Sequence, residues 1–373
     1  MQRVTRLAPL SEILAYLDDA VVPVSPVDLE PRAAAGCVIA ADVTAPAEWP
    51  PHPVATRDGW AVASEHVLDA SPLAPLPLVP SARWTEVGEP VDLPTDTILR
   101  AEDVTQTRTG PEATAPATAG DGVAGAGGGD AKRSVVGGAG DTMPAGYTVR
   151  ASDAAVLASC GISSVAVRRP TVALISTTVP TFSTADTVSP VVARVVERAG
   201  CTVEVSRTAS LEEALRDERV DAVISIGGTG AGRRDASADT LARVGKLVWH
   251  GLGIAPGESA ALGAMQGRPV LLLPGRLDSA LAALLIVGTV ILGRLAGQRA
   301  TRTVGQEKLT RKVTSTIGIA DLVLLRRISE GVEPLATGRL TLQALAQADG
   351  WNIVPPQSEG FPAGSLVEIR PLP

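Results

Sequence analysis

The chain has 373 residues, of which 45% are hydrophobic and 2% aromatic, and it carries a formal net charge of −7. A length of this order sets two to four domains at ~100–200 residues each, the hydrophobic share excludes a globally disordered chain, and an acidic balance with few stacking rings argues against a nucleic-acid partner. Cys37, Cys160 and Cys201 lie far apart with no paired spacing, so they read as buried or free thiols of a reducing cytoplasm and not as a disulfide frame or zinc site.

In chain order, residues 1–44 read as helical, opening on an amphipathic helix capped at Ser11; the first residues lack the apolar core and cleavage site of a secretion signal. Residues 45–143 are rich in Pro, Val, Thr and Gly with short alternating runs, which predicts a small β domain. Within it, Thr109 to Gly140 is of low complexity and is expected to be a flexible insert, dispensable for folding. Residues 144–170 return to the first domain and include a helix from Ala151 that stops at Gly161.

From residue 171 to about 300 strand and helix signals alternate. Strands are expected at Val172–Ser176, Thr202–Ser206, Ala222–Ile226 and Val270–Leu273, and helices at Pro190–Ala199, Leu211–Asp217, Ala238–Val244 and Ser279–Leu295. Such a series predicts a parallel sheet with ligands at the carboxyl ends of its strands. The apolar run from Ser279 to Gly293 is shorter than the ~20 residues of a bilayer span, so it reads as a buried helix and no membrane is implied. Residues 301–373 read as a further β domain.

The most informative stretch is DAVISIGGTGAGRRDASAD, from Asp221 to Asp239. A buried strand leads into Gly227, Gly228, Thr229, Gly230 and Gly232, and a helix starts at Ser237. Glycines let a backbone approach a ligand, and successive N–H groups ahead of a helix attract anions. Asp235 stands at the loop end, placed to accept a proton or a donor bond. The same glycines also serve a loop that only turns the chain. The second glycine-bearing loop, LPGRLDS, falls at the end of another expected strand. His52, His66 and His250 show no metal spacing and are assigned to ordinary surface or core positions.

Four stretches in order resemble the molybdopterin molybdotransferase family (MoeA and the gephyrin E domain). ATRDGWAVAS (Ala55 to Ser64) is similar to its SAMDGYAV motif, and VISIGGTGAGRRD (Val223 to Asp235) to its VISSGGVSVGxxD loop. APGESAALG with RPVLLLPGRLDSALA is similar to KPGKPxxFG and GLPGNPVSA, and LAQADGWNIVPPQSEGFPAGSLVEI to the final ANGLIVLPE…AGExVEV segment. The resemblance implies an α/β multidomain chain: a central parallel-sheet molybdopterin-binding domain (MoaB/MogA-like), an elongated helical/β N-terminal region and a C-terminal β domain. It also implies a homodimer whose cleft is closed by the other subunit. There the family takes adenylylated molybdopterin and molybdate, and hydrolyses the adenylate with a divalent cation. By position, Asp58 and Asp235 would be catalytic. Ser176 and Thr177, Gly227 to Gly232 with Arg233 and Arg234, and Pro274, Gly275, Arg276 and Ser279 would bind the ligand, Ser279 at the molybdate position.

The chain departs from the family pattern where the chemistry lies. The acidic pair after the first strand is replaced by Thr178 and Val179, and an acid near the domain junction falls at Val135. The lysine of PGKP is Glu258, the Asn-Pro of LPGNP is Arg276-Leu277, and an arginine near the molybdate site falls at Ile319. Losing carboxylates weakens a magnesium site, and an inward-facing glutamate opposes a dianion by roughly 4 kcal/mol at ~4 Å and intermediate dielectric. No protein metal site is therefore assigned. One reading is a cytoplasmic protein that binds molybdopterin, its adenylate or finished cofactor and serves a molybdoenzyme client as carrier or maturation partner. The other is a working molybdotransferase that uses Mg2+ and molybdate at a rearranged site. A scaffold that keeps the fold but binds no pterin is a third.

Overall fold

The computed structural model describes residues 4, 6–44, 50, 52–125, 142–177, 187–206, 210–299 and 305–372. Its centre is a six-stranded sheet. Four strands run parallel: β1 (Thr171–Ser176), β2 (Thr202–Val205), β3 (Ala222–Ile226) and β6 (Arg268–Leu273). Two strands the sequence pattern did not signal, β4 (Lys246–His250) and β5 (Ala261–Met265), add antiparallel at one edge, giving the order β2-β1-β3-β6-β5-β4. The sheet is therefore mixed, with a parallel centre.

The central strands are apolar on both sides because both faces are covered. Val172, Leu174, Ile224 and Ile226 point into one core with the N-terminal helix and the long C-terminal helix; Ala173, Ile175 and Val223 point into a second core with Leu215 and Leu241. The helices around this sheet and its N-terminal neighbour are α1 (Leu10–Ala20), α2 (Ala151–Ser159), α3 (Ser189–Arg198), α4 (Leu211–Arg216), α5 (Ser237–Val244) and α6 (Leu277–Leu295), with shorter ones at Pro31–Ala34 and Leu342–Gln347. By length and composition α6 could cross a membrane, but 67% of its apolar window is buried inside the protein. It runs through a π-turn at Leu284–Gly288 and packs on α1 and α3.

α1 begins at Leu10, and Ser11 makes no cap; Pro9 precedes the helix with its fixed φ of −57°. The helix packs on the α/β unit. Leu10, Ile13 and Leu17 join its core, Tyr16 meets Trp249 edge-on at 5.4 Å, and the Gly253 N–H donates to the Ala8 carbonyl at 2.7 Å. Residues 27–44 instead form a small unit with the segment after residue 142. Val165–Arg168 pairs Val27–Leu29 and Val38–Ile39, and Thr142–Met143 pairs Val43–Thr44. α2 seals it through Leu157 and Ala154. At the head of α2, the Arg150 guanidinium holds the buried Asp153 carboxyl at about 2, against burial and aided by the Arg150 N–H and the Tyr147 hydroxyl. A lowered carboxyl contributes stability above its unfolded pKa and loses it as pH falls through the folded value. Asp153 is thus expected to supply about 2 kcal/mol near neutrality, lost between about pH 4 and pH 2. Acid unfolding of Asp153→Asn, compared with the parent, checks this: the variant's stability should change less over that window.

The low-complexity segment corrects the expectation of a dispensable insert. Gly110–Ala113 is a strand paired with Val104–Thr107 and Leu76–Pro77, and Val123–Ala124 pairs Val54–Ala55. Ala113, Ala117 and Val123 are buried in the β region's two small cores. Small side chains disguise this in the sequence, because alanine and glycine read as linker yet fill a tight core. The later part of the segment lies outside the described residues. Deleting residues 110–125 removes these strands and is expected to lower the melting temperature by roughly 3–4 °C, as ~2–3 kcal/mol would in a chain of this size. An unchanged melting curve would contradict the packing.

The C-terminal region is built on the long strand Ala320–Ile328, flanked by Gly331–Thr337 and Gly350–Val354. Ile254–Ala255 pairs parallel with Ala320–Asp321 and ties this sheet to the α/β unit beside the site described next.

Candidate functional site

Three parallel strands end at one place. The Thr177 N–H donates to the Ile226 carbonyl at 2.9 Å, and the Gly227 N–H donates to the Leu273 carbonyl at 2.8 Å, so the exits of β1, β3 and β6 are tied side by side. Gly227 and Gly228 then turn with φ of +95° and +72°, a region side chains rarely enter. At Gly228 a Cβ would sit 2.3 Å from Ser237 Oγ and 3.2 Å from Thr177 Oγ1. Ser237 closes the base of the loop: its Oγ donates to the Gly227 carbonyl and its N–H to the Gly228 carbonyl, both at 2.9 Å. The loop thus leaves β3 and re-enters α5 at a fixed gap.

Inside the loop, Asp235 faces its own backbone. Its Oδ2 accepts the Gly232 N–H at 2.8 Å, and a Cβ at Gly230 or Gly232 would lie 2.7 or 2.9 Å from that oxygen. The carboxylate therefore shapes the loop and occupies a backbone donor. Arg233 and Arg234 project from its tip, exposed, and neither makes an ion pair among the described residues. Thr229 is buried; its carbonyl meets His250 Nε2 at 2.8 Å and its Oγ1 meets Ser259 Oγ at 3.5 Å.

Ser259 belongs to the second loop, residues 256–259. Gly257, with φ of +124°, approaches the Ser279 carbonyl so closely that a Cβ would lie 3.2 Å away. Glu258 is exposed, and its Oε2 accepts the Gly257 N–H at 3.0 Å. This corrects the inward-facing glutamate expected from sequence: the carboxylate folds back on its own turn.

The third loop is Pro274-Gly275-Arg276, leading into α6. Arg276 is spent on a neighbour, with Nη2 2.8 Å from Asp278 Oδ2 and Nε 3.2 Å from Oδ1. Asp278 is buried and also accepts the Ser279 N–H at 2.8 Å and the Ser279 hydroxyl at 3.3 Å. Arg276 and Asp278 form a neutral pair beside Ser279.

The structure therefore brings together Thr177, Gly227, Gly228, Thr229 and Ser237 on one side and Gly257, Ser259 and Ser279 on the other. Ser176 lies at the same end of β1, half-buried, and Pro274 is buried at the exit of β6. Asp58 is elsewhere: it sits in the turn before Gly59–Val62 and accepts the Val87 N–H at 2.8 Å within the β region. The sequence reading missed His250, Ser237, Ser259 and Asp278. Asp278 carried a signal, as an acid in a helix's first turn beside a candidate ligand serine. His250 carried none, because only the added antiparallel strands bring it to the loop. Among the described residues no group of three His, Cys, Asp or Glu could hold a metal ion, and positions 135, 178 and 179 lie outside them. The side chains at hand do not fit a magnesium site.

Residues 8–161 match the family model for the MoeA N-terminal region, domains I and II, and residues 171–293 match the one described as "Probable molybdopterin binding domain". The two models follow each other along the chain in the order of the fold. The chain belongs to the MoeA family. It is 29% identical over 151 residues to a Methanocaldococcus jannaschii protein named for molybdopterin biosynthesis, a match that spans 40% of this chain and 36% of that relative's length. Among solved structures, a molybdopterin biosynthesis MoeA protein of Pyrococcus horikoshii OT3 superposes with a TM-score of 0.67 at 20% identity, covering 97% of this chain and 99% of its own. A molybdenum cofactor biosynthesis protein of Pyrococcus furiosus gives a TM-score of 0.55 at 19% identity, covering 97% and 98%. At such identities the superpositions establish the MoeA fold over nearly the whole chain.

Proposed function

We propose that this MoeA-family chain acts in molybdenum cofactor biosynthesis by binding molybdopterin, its adenylate or the finished cofactor at the glycine loop, with weak or lost insertion chemistry, as a carrier or maturation partner for a molybdoenzyme. The observation that carries the reading is the division of charge across the site. Two unpaired arginines, Arg233 and Arg234, stand on the glycine loop, where a pterin phosphate would meet backbone N–H groups and planar donors suited to it. Around Ser279, Arg276 is neutralised by Asp278, and the turn at Gly257 that approaches the Ser279 carbonyl carries the acid Glu258. A phosphate is favoured on one side; among the described residues a molybdate dianion finds no net cation on the other. Asp235 serves as a loop former in this account, and Asp58 reaches the glycine loop of a second copy in a homodimer.

Titration of molybdopterin, its adenylate and mature cofactor into the purified chain tests the reading. Binding is expected for at least one, and Arg233→Ala or Arg234→Ala should weaken it by roughly tenfold, the scale of a charged hydrogen bond of ~1.5 kcal/mol. Arg276→Ala should lower stability, since Asp278 stays buried without its partner, while leaving phosphate affinity near that of the parent. No binding of any pterin form would leave the scaffold reading in its place.

A further inference from the structure

A cleft of about 770 Å³ opens at the other end of α6 from the glycine loop. Its walls come from three places: the segment Tyr147 to Arg150 that enters α2, Arg198 at the end of α3, and α6 with the residues after it, from Thr289 to Arg299. From Leu277 to Thr289 a helix rises about 18 Å, so this cleft and the glycine loop are separate sites. We propose that it binds a small, multiply charged metabolite carrying phosphate groups.

Four guanidinium groups, those of Arg150, Arg198, Arg294 and Arg299, line the one cleft in a chain whose net charge is −7. Arg150 is committed to Asp153, and Arg294 touches Asp18. Arg198 pairs with no carboxylate among the described residues; its contact is with the Leu372 carbonyl at 3.4 Å. The Nε of Arg294 is buried and has no hydrogen-bond partner among the described residues. A phosphate oxygen is a strong acceptor for guanidinium groups such as those of Arg198 and Arg299 that line the cleft.

The end of α6 would ordinarily oppose an anion, because a helix C-terminus is its negative pole. Here that pole is satisfied locally. Ala296, Gly297 and Gln298 donate their N–H groups to the carbonyls of Leu292, Arg294 and Gly293 at 3.0, 2.9 and 2.7 Å. The remaining lining is mixed, with Val290 and Gly293 beside polar groups: Gln298 bonds Thr148 at 3.1 Å and the Tyr147 hydroxyl donates to Asp153 at 2.7 Å. The guanidinium groups outnumber the single ring of Tyr147, so recognition rests on the phosphates. The volume lies within the ~300–1,000 Å³ of small-molecule sites. Because the walls come from both the N-terminal unit and the α/β unit, a ligand here would clamp the two together.

The test uses the full chain and inorganic pyrophosphate, followed by calorimetric titration. The background is Arg233→Ala with Arg234→Ala, which removes the free cations of the glycine loop. One pyrophosphate per chain is expected to bind in that background. Adding either Arg198→Ala or Gln298→Glu should weaken it at least tenfold, and Arg198→Lys should restore part of the loss. Both positions are exposed, so melting curves of the variants should match the background. Absence of binding at millimolar pyrophosphate, or binding unchanged by either cleft variant, overturns the proposal. These outcomes do not depend on whether the glycine loop binds a pterin.

Discussion

Gly228→Val is expected to abolish pterin binding and to lower the melting temperature by roughly 3–6 °C. The residue holds φ of +72°, and a Cβ there would fall 2.3 Å from Ser237 Oγ. A β-branched side chain in that region costs ~1–2 kcal/mol in the backbone, and displacing a packed neighbour costs ~1–3 kcal/mol more. Ser237 cannot retreat cheaply, because it closes the loop through the Gly227 and Gly228 carbonyls. The loop would open at its base. Gly232→Ala is the informative comparison. Its Cβ would meet only the end of the Asp235 side chain, at 2.9 Å, which can rotate away, so a smaller loss is expected. A Gly228→Val protein that melts and binds like the parent would show that the loop does not shape the site.

The second large effect is a gain. Glu258→Lys combined with Thr178→Gly and Val179→Asp should raise molybdate insertion by at least tenfold over the parent. Reversing the charge at Glu258 exchanges repulsion for attraction toward a dianion at Ser279. A unit-charge pair at ~4 Å is worth roughly 4 kcal/mol at intermediate dielectric, but Glu258 is exposed and water screens most of that. The remaining factor is of the order of tenfold. Val179→Asp supplies a carboxylate of the kind a divalent cation takes. Insertion measured at saturating molybdopterin adenylate, with molybdate varied, separates the two effects: the lysine should act on the molybdate dependence, and the carboxylate on the maximal rate. A restored variant no faster than the parent would show that the deficit lies elsewhere in the site.

The α/β unit was legible in the sequence because its strands are apolar on both faces and its helices end at recognisable residues. Ala222–Ile226 agrees to the residue, and α2, α3, α4 and α5 agree within one or two. Gly227 and Gly228 declared a turn that only glycine makes. Legibility failed where tertiary contacts decide. Strands β4 and β5 carry His250 and Gly263 in patterns too weak to announce an antiparallel edge, so the sheet's outer half and the His250 contact were invisible. The segment 110–125 looked like a linker, since alanine and glycine give no periodic signal, yet Ala113 and Ala117 are buried. At the site, the residue types could be read but not their directions. Arg276, Asp235 and Glu258 all turn toward their own loops, a matter of local hydrogen bonding that composition does not encode. Asp58 was likewise legible as a turn residue, while its position relative to a second copy is a property of assembly.

Binding that outlasts insertion chemistry is directly measurable in one experiment. Adenylylated molybdopterin is incubated with the purified parent chain, excess magnesium and molybdate, and AMP release and molybdenum-loaded pterin are followed alongside the amount of pterin retained on the protein. The expected result is retention near one pterin per chain, with AMP release and molybdenum loading far below those of the Pyrococcus horikoshii MoeA protein run in parallel. Loading as fast as that protein's would contradict the account and make this chain a working insertase.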